Sequence, residues 1–148
     1  MTNNDALRSI ASALRLGDAK LIEIVRKGDG DVDAAAVASY LKQPSDEGFA
    51  PCPDDVMAQF LNGLVIHRRG KRKDDAPVPV ETVTNNVILK KVRIALELKD
   101  DDIAAIFKRQ GIEVSKTDRS AFFRAADHRH FRPCSDDVLQ KLLTGLKG

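Results

Sequence analysis

The chain contains no tryptophan, a single tyrosine and two cysteines, and it has no unbroken apolar run of about 18 residues. The last absence excludes a transmembrane helix by length. The opening Met-Thr-Asn-Asn-Asp lacks a basic segment followed by an apolar stretch, which argues against a secretory signal. Cytoplasmic residence is the expectation, and Cys52 and Cys134 then read as reduced thiols. Gly-x-Ser-x-Gly, Walker and dinucleotide-binding fingerprints are absent. A net charge of +2 is far from the basic balance of a typical nucleic-acid binder. The 148 residues, 43% apolar and 31% charged, suit one soluble domain or two small ones. A chain of this size buries roughly 68–70% of its unfolded surface, enough for a core without staples.

What is present is a repeat. Residues 2–64 align with residues 84–146 at a constant offset of 82, without a gap, and 19 of the 63 columns are identical. Roughly four would coincide by composition alone. Both copies open Thr-Asn-Asn, at Thr2 and Thr84. Phe49-x-Pro51-Cys52-x-Asp54-Asp55-Val56 recurs as Phe131-x-Pro133-Cys134-x-Asp136-Asp137-Val138, and both copies end Leu-x-Gly-Leu. A unit near 65 residues is marginal alone, so the copies are expected to pack on each other or on another chain.

Each copy reads as four short helices. Asn3 or Asn4 is the expected cap of the first, with Leu7, Ile10 and Leu14 on one face; Leu89, Val92 and Leu96 repeat them at the 3.6-residue period. Acidic residues suit helix starts, and Asp18 and Asp100 begin the second pair. Gly28-Asp29-Gly30 and Gln110-Gly111 end it. Asp33 and Ser115 cap the third helices, and the fourth start at Pro53 and Ser135. Leu14, Leu61, Leu96 and Leu143 are expected core positions. The predicted fold is all-α, with two tandem homologous modules of about four short helices related by a pseudo-two-fold. The modules run over residues 1–69 and 84–148, joined by a linker at 70–83.

The paired Thr-Asn-Asn, the glycine-to-valine turn and the Phe-x-Pro-Cys-x-Asp-Asp-Val segment resemble the YehS-like family of small bacterial proteins, domain of unknown function 1456. The resemblance covers nearly the whole chain. It implies a compact bacterial cytosolic protein built from two copies of one module, and it brings no catalytic residues.

Read for chemistry, the repeated segment looks structural. Cys52 and Cys134 precede a helix, whose N-terminus lowers thiol pKa, but Asp54, Asp55, Asp136 and Asp137 in the same turn oppose a thiolate. Those paired aspartates point about 100° apart on a helix and do not converge on a substrate. His128-x-His130-x3-Cys134 offers three zinc ligands where four are wanted, and copy one has Asp46 and Gly48 in place of the histidines. No metal, cofactor or catalytic residue is therefore expected.

Charge is distributed unevenly. Residues 1–66 carry 6 Lys and Arg against 10 Asp and Glu, whereas residues 84–148 carry 13 against 9. Two functions follow. The first is a non-enzymatic binding module for an unknown protein partner or a second copy of itself, because marginal modules must cover their apolar stripes. The alternative is a nucleic-acid binder in which the second helix, turn and third helix of copy two form a helix-turn-helix outline. Lys116, Arg119 and Arg124 would then contact phosphates or bases, flanked by Lys108, Arg109, Arg129 and Arg132, with Arg68, Arg69, Lys71, Arg72 and Lys73 adding nonspecific contacts.

Overall fold

The computed structural model describes residues 1–70 and 82–146. Among the described residues the chain is all-helical, with no strand. Its eight helices are α1 (Asn3–Leu14), α2 (Asp18–Lys27), α3 (Ala34–Leu41), α4 (Asp54–Arg69), α5 (Asn85–Leu96), α6 (Asp100–Arg109), α7 (Lys116–Phe122) and α8 (Asp136–Gly145). Most of the expected linker, including Lys71, Arg72 and Lys73, lies outside the described residues.

The caps show why the helices begin where they do. Thr2 and Thr84, not the asparagines that follow, cap α1 and α5 by accepting from the N–H of Asp5 and Val87. This corrects the expected cap. Asn3 and Asn4 sit inside the first turn, where their amides reach away from the helix. Asp33 and Ser115 cap α3 and α7 as expected, and Pro53 and Ser135 precede α4 and α8. Helices α1 and α5 stop at residues in the left-handed conformation, Arg15 (φ 56°) and Glu97 (φ 55°).

The two halves are stitched by reciprocal contacts. Helix α4 packs on α5, and α8 packs on α1. Exchanging the copies converts one contact into the other, as a two-fold requires. Gln140 Nε2 on α8 donates to Ser9 Oγ on α1 at 3.1 Å, and the Met1 ammonium donates to Asp136 Oδ2 at 2.6 Å. One continuous core results. Phe60, Leu61, Leu64, Leu89, Leu142 and Leu143 are all essentially inaccessible. Leu14 and Leu96 are only partly buried, contrary to expectation, because they lie at the helix ends that rim this core.

Within a module the last helix crosses the second. In the first module the two backbones touch: a Cβ on Gly63 would stand 1.7 Å from the Ile24 carbonyl oxygen, and one on Gly28 would stand 1.9 Å from that of Gln59. In the second module Gln110 replaces Gly28. A Cβ on Gly145 there would meet the Ile106 side chain at 2.5 Å but the Ile106 carbonyl oxygen only at 3.5 Å. The Gly in Leu-x-Gly-Leu is therefore a helix-crossing residue, held more tightly in the first module.

Candidate nucleic-acid interface

In each module the two repeated motifs are brought together. Asn4 Nδ2 donates to the carbonyls of Tyr40 (3.0 Å) and Ala50 (2.9 Å), while its Oδ1 accepts from the Cys52 N–H (3.0 Å). Asn86 does the same with Phe122 (3.0 Å), Arg132 (2.8 Å) and Cys134 (2.9 Å). Asn3 and Asn85 reach the next turn, donating to the Cys52 and Cys134 carbonyls and, at 2.7 Å, to Asp54 and Asp136 Oδ1. The asparagine pair thus clamps the loop that leads into the last helix. Both thiols are buried against this clamp. Burial, then the neighbouring aspartates, pushes Cys52 up to about 12 and Cys134 to about 11. Both thiols are held in their neutral form at physiological pH. Phe49 is partly buried, Pro51 is exposed, and Asp55 accepts from the Val56 N–H. Asp137 is exposed, 3.8 Å from Lys141.

The clamped loop shapes the surface of the second module. Residues 123–135 and α7 enclose a hollow of about 730 Å³ whose charged lining is Lys116, Arg124, Arg129, Arg132 and Asp118. Four cations face one carboxylate, a balance of +3. Arg132 pairs with Asp118 at 3.2 Å, and Arg129 Nε meets His130 Nε2 at 3.2 Å. Arg124 is exposed and its guanidinium has no partner among the described residues. The corresponding residues of the first module are Ala34, Lys42, Glu47, Ala50 and Ala36, which balance to zero. Lys42 also folds back to donate to the Glu47 carbonyl at 2.9 Å.

Arg124 also borders two further hollows. One, of about 520 Å³, is walled mainly by Val87, Phe122, Phe123, Phe131 and Pro133. The other, of about 610 Å³, is lined by Arg93, Lys99 and Lys116 together with Asp100, Asp101 and Phe123. Arg93 lies over the Phe123 ring, 4.4 Å from its centroid.

The structure does not assemble the expected recognition helix. Arg119 points inward. Its Nε and Nη2 each approach Asp100 at 2.9 Å and its Nη1 donates to the Val114 carbonyl at 2.6 Å, leaving the side chain 13% exposed. The bidentate carboxylate holds α7 against α6, and the guanidinium beside it keeps Asp100 below the usual carboxylate range. Helix α7 is only seven residues long. Arg68 lines a different hollow with Leu14, Leu96 and Arg109, and Arg69 lies 3.5 Å from Glu97. Neither joins Lys116 and Arg124. Cys134 is buried, and among the described residues no three His, Cys, Asp or Glu side chains converge in metal-binding geometry.

Arg93 and Lys99 were not singled out from the sequence. The signal was there in the repeat itself: Ala11, Gly17, Ala34, Glu47 and Ala50 of copy one become Arg93, Lys99, Lys116, Arg129 and Arg132 in copy two. Reading the copies as a difference, column by column, finds the charged face.

Both copies of the repeat, each with its clamp, fall within the segments that a family model matches. The model described as a protein of unknown function, DUF1456, matches twice, over residues 3–70 and 85–147. The chain belongs to this DUF1456 family. A relative that aligns over nearly its full length is the uncharacterized protein YehS of Escherichia coli (strain K12), 42% identical over 148 residues, covering 99% of this chain and 94% of that protein. No solved structure matches. No helix among the described residues is long and apolar enough to cross a membrane.

Proposed function

We propose that this DUF1456 protein is a non-enzymatic binding protein that takes nucleic acid on the cationic face of its second module. One observation carries the reading. Lys116, Arg124 and Arg129 converge, exposed, on a single hollow, and the repeat-equivalent face of the first module is neutral. Clustered cations of this kind release condensed counterions when they meet phosphates, which gives affinity without base contacts. The contact surface is the concave wall of α7 and the 123–135 loop, not a helix inserted into a groove, because Arg119 is spent on Asp100.

A protein partner or self-association has less support. That reading rested on apolar stripes in need of cover, and α4 with α5 and α1 with α8 cover them within the chain. Ile94, 38% exposed, is the one exposed large hydrophobic residue among those described. Enzymatic roles for the repeated motif are disfavoured by its chemistry. Both thiols sit well above neutral pH, and Asp54 and Asp136 are held by asparagine amides.

The test is the salt dependence of binding to labelled DNA and RNA. Affinity should fall steeply with salt, and Arg124→Ala or Arg129→Ala should each weaken it and reduce the logarithmic slope by about 1. No binding of any nucleic acid at low salt would overturn the proposal.

A further inference from the structure

The apolar hollow beside the cationic one has no role in a purely electrostatic contact. Its apolar walls are Val87 on α5, Phe122 and Phe123 at the end of α7, and Phe131 and Pro133 of the clamped loop, with Thr84, Asn86 and Lys90 also lining it. Arg124 forms its rim and the rim of the cationic hollow at once. Phe123, on the far wall, carries the Arg93 guanidinium on its ring. In the first module the same place is crossed by a strap. Arg8 there pairs with Asp5 and donates through Nη1 to the Lys42 carbonyl at 3.0 Å. The second module has Val87 in place of Asp5 and Lys90 in place of Arg8, so the acidic half of the strap is gone.

We infer that this pair of hollows is a seat for single-stranded nucleic acid, with phosphates on Lys116, Arg124 and Arg129 and a base in the Phe123–Phe131 hollow. The inference rests on the nucleic-acid reading above and goes beyond it in assigning a base site. The chemistry that alternates along a single strand is a flat apolar ring and a charged linker. The surface offers the complement side by side, an aromatic-walled hollow and an arginine-lined one sharing Arg124. Unstacked bases bind on aromatic rings and guanidinium planes, and such contacts tolerate any base. In a duplex the bases are stacked inside the helix and cannot enter a recessed hollow without being extruded. An acidic peptide would satisfy the cations, but it has no flat apolar ring to fill the Phe123–Phe131 hollow.

The experiment measures binding of the full chain, by fluorescence anisotropy at low salt, to four probes of matched length, about 12 residues or nucleotides. They are an oligothymidylate, a duplex, an abasic strand with the same phosphates, and polyglutamate. The inference expects the oligothymidylate to bind about tenfold or more tightly than the abasic strand, since stacking carries that much per base. It also expects the oligothymidylate to bind more tightly than the duplex. The double variant Val87→Asp with Lys90→Arg restores the residues of the first module, where they fold, and should close the apolar hollow. It should remove the advantage of bases over abasic sites while leaving the salt slope on the abasic strand intact. Circular dichroism and thermal melting confirm that the variant is folded. If it melts early, Phe131→Leu serves instead, with the same expected loss of the base preference.

Equal affinity for the abasic strand and the oligothymidylate would overturn the base site and leave the phosphate-binding reading standing. The base site is likewise overturned if the duplex binds as tightly as the single strand, or polyglutamate as tightly as either. Failure of every nucleic acid to bind overturns both.

Discussion

Replacing Asn4 by alanine tests whether the Thr-Asn-Asn motif is a structural clamp. The amide of Asn4 is 3% exposed and makes three hydrogen bonds over sequence separations of 36 to 48 residues. Its orientation is unambiguous, because two carbonyls demand donors and one N–H demands an acceptor. Each bond contributes about 1 kcal/mol net. The Tyr40 and Ala50 carbonyls are half-buried and water can reach them once the side chain is gone. The Cys52 N–H lies in a buried bond and stays unsatisfied, at a cost of about 1–3 kcal/mol. The sum for Asn4→Ala is about 3–5 kcal/mol, a large share of a stability typically of 5–15 kcal/mol. In a chain of this size it lowers Tm by roughly 10–16 °C. Asn86 makes the same bonds in a more exposed setting, so Asn86→Ala should cost about half as much. Asn4→Asp adds a sign. It keeps the acceptor for Cys52 but turns an oxygen toward two carbonyls, so its carboxyl has a folded pKa raised above the unfolded value. Relative to wild type, the variant should therefore be least destabilised below about pH 4 and increasingly destabilised as pH rises through that raised value. Urea melts of the three variants against wild type at several pH values measure all of this. An Asn4→Ala cost below about 0.5 kcal/mol, or an Asn86→Ala cost exceeding that of Asn4→Ala, would refute the reasoning.

Gly63→Ala should be among the worst single substitutions, costing more than about 3 kcal/mol or abolishing folding, whereas Gly145→Ala should cost about 1–2 kcal/mol because only a side chain must yield; thermal melts rank the two. Leu61→Ala and Leu143→Ala should each cost about 2–5 kcal/mol and Leu14→Ala clearly less, since only the first two are fully buried; chemical denaturation gives the order. Asp100 is held below its usual range by Arg119, so the ion pair contributes above the unfolded carboxylate pKa and its contribution fades as pH falls through the lowered folded value. Asp100→Asn should therefore lower stability at neutral pH and flatten the acid limb, as followed by melting between about pH 2 and 7. Cys52 and Cys134 should resist thiol reagents at pH 8 in the native protein and react together once it is unfolded; rapid labelling of either native thiol would contradict their burial.

Much of the architecture is legible in the sequence, for a physical reason. Helix periodicity and caps are local, and duplication doubles the signal: Asp33, Ser115, Pro53 and Ser135 stand at helix starts as their residue types predict. What could not be read is what a polar side chain does across the chain. Asn4 looked like a cap because its partners at Tyr40, Ala50 and Cys52 are far away in sequence. Arg119 looked like a phosphate ligand because nothing local announces Asp100, 19 residues earlier, as its partner. Leu14 and Leu96 follow the apolar period, yet periodicity says which face a residue is on and not how near the helix end the core stops. The candidate site was half legible. Lys116 and Arg124 stand out from charge alone, whereas the hollow they share with Arg129 depends on how residues 123–135, tied at Phe122 and Arg132 by Asn86, lie beside α7.

The glycine crossing divides the two halves by how much change each can absorb. Where main chain rests on main chain, as at Gly28 and Gly63, no side chain can be enlarged without prising a whole helix away. Around Gly145 the neighbours are rotatable side-chain atoms of Ile106 and Gln110, which can yield to a new residue. At this crossing the first half tolerates no side chain, whereas the second can admit a small one by moving its neighbours.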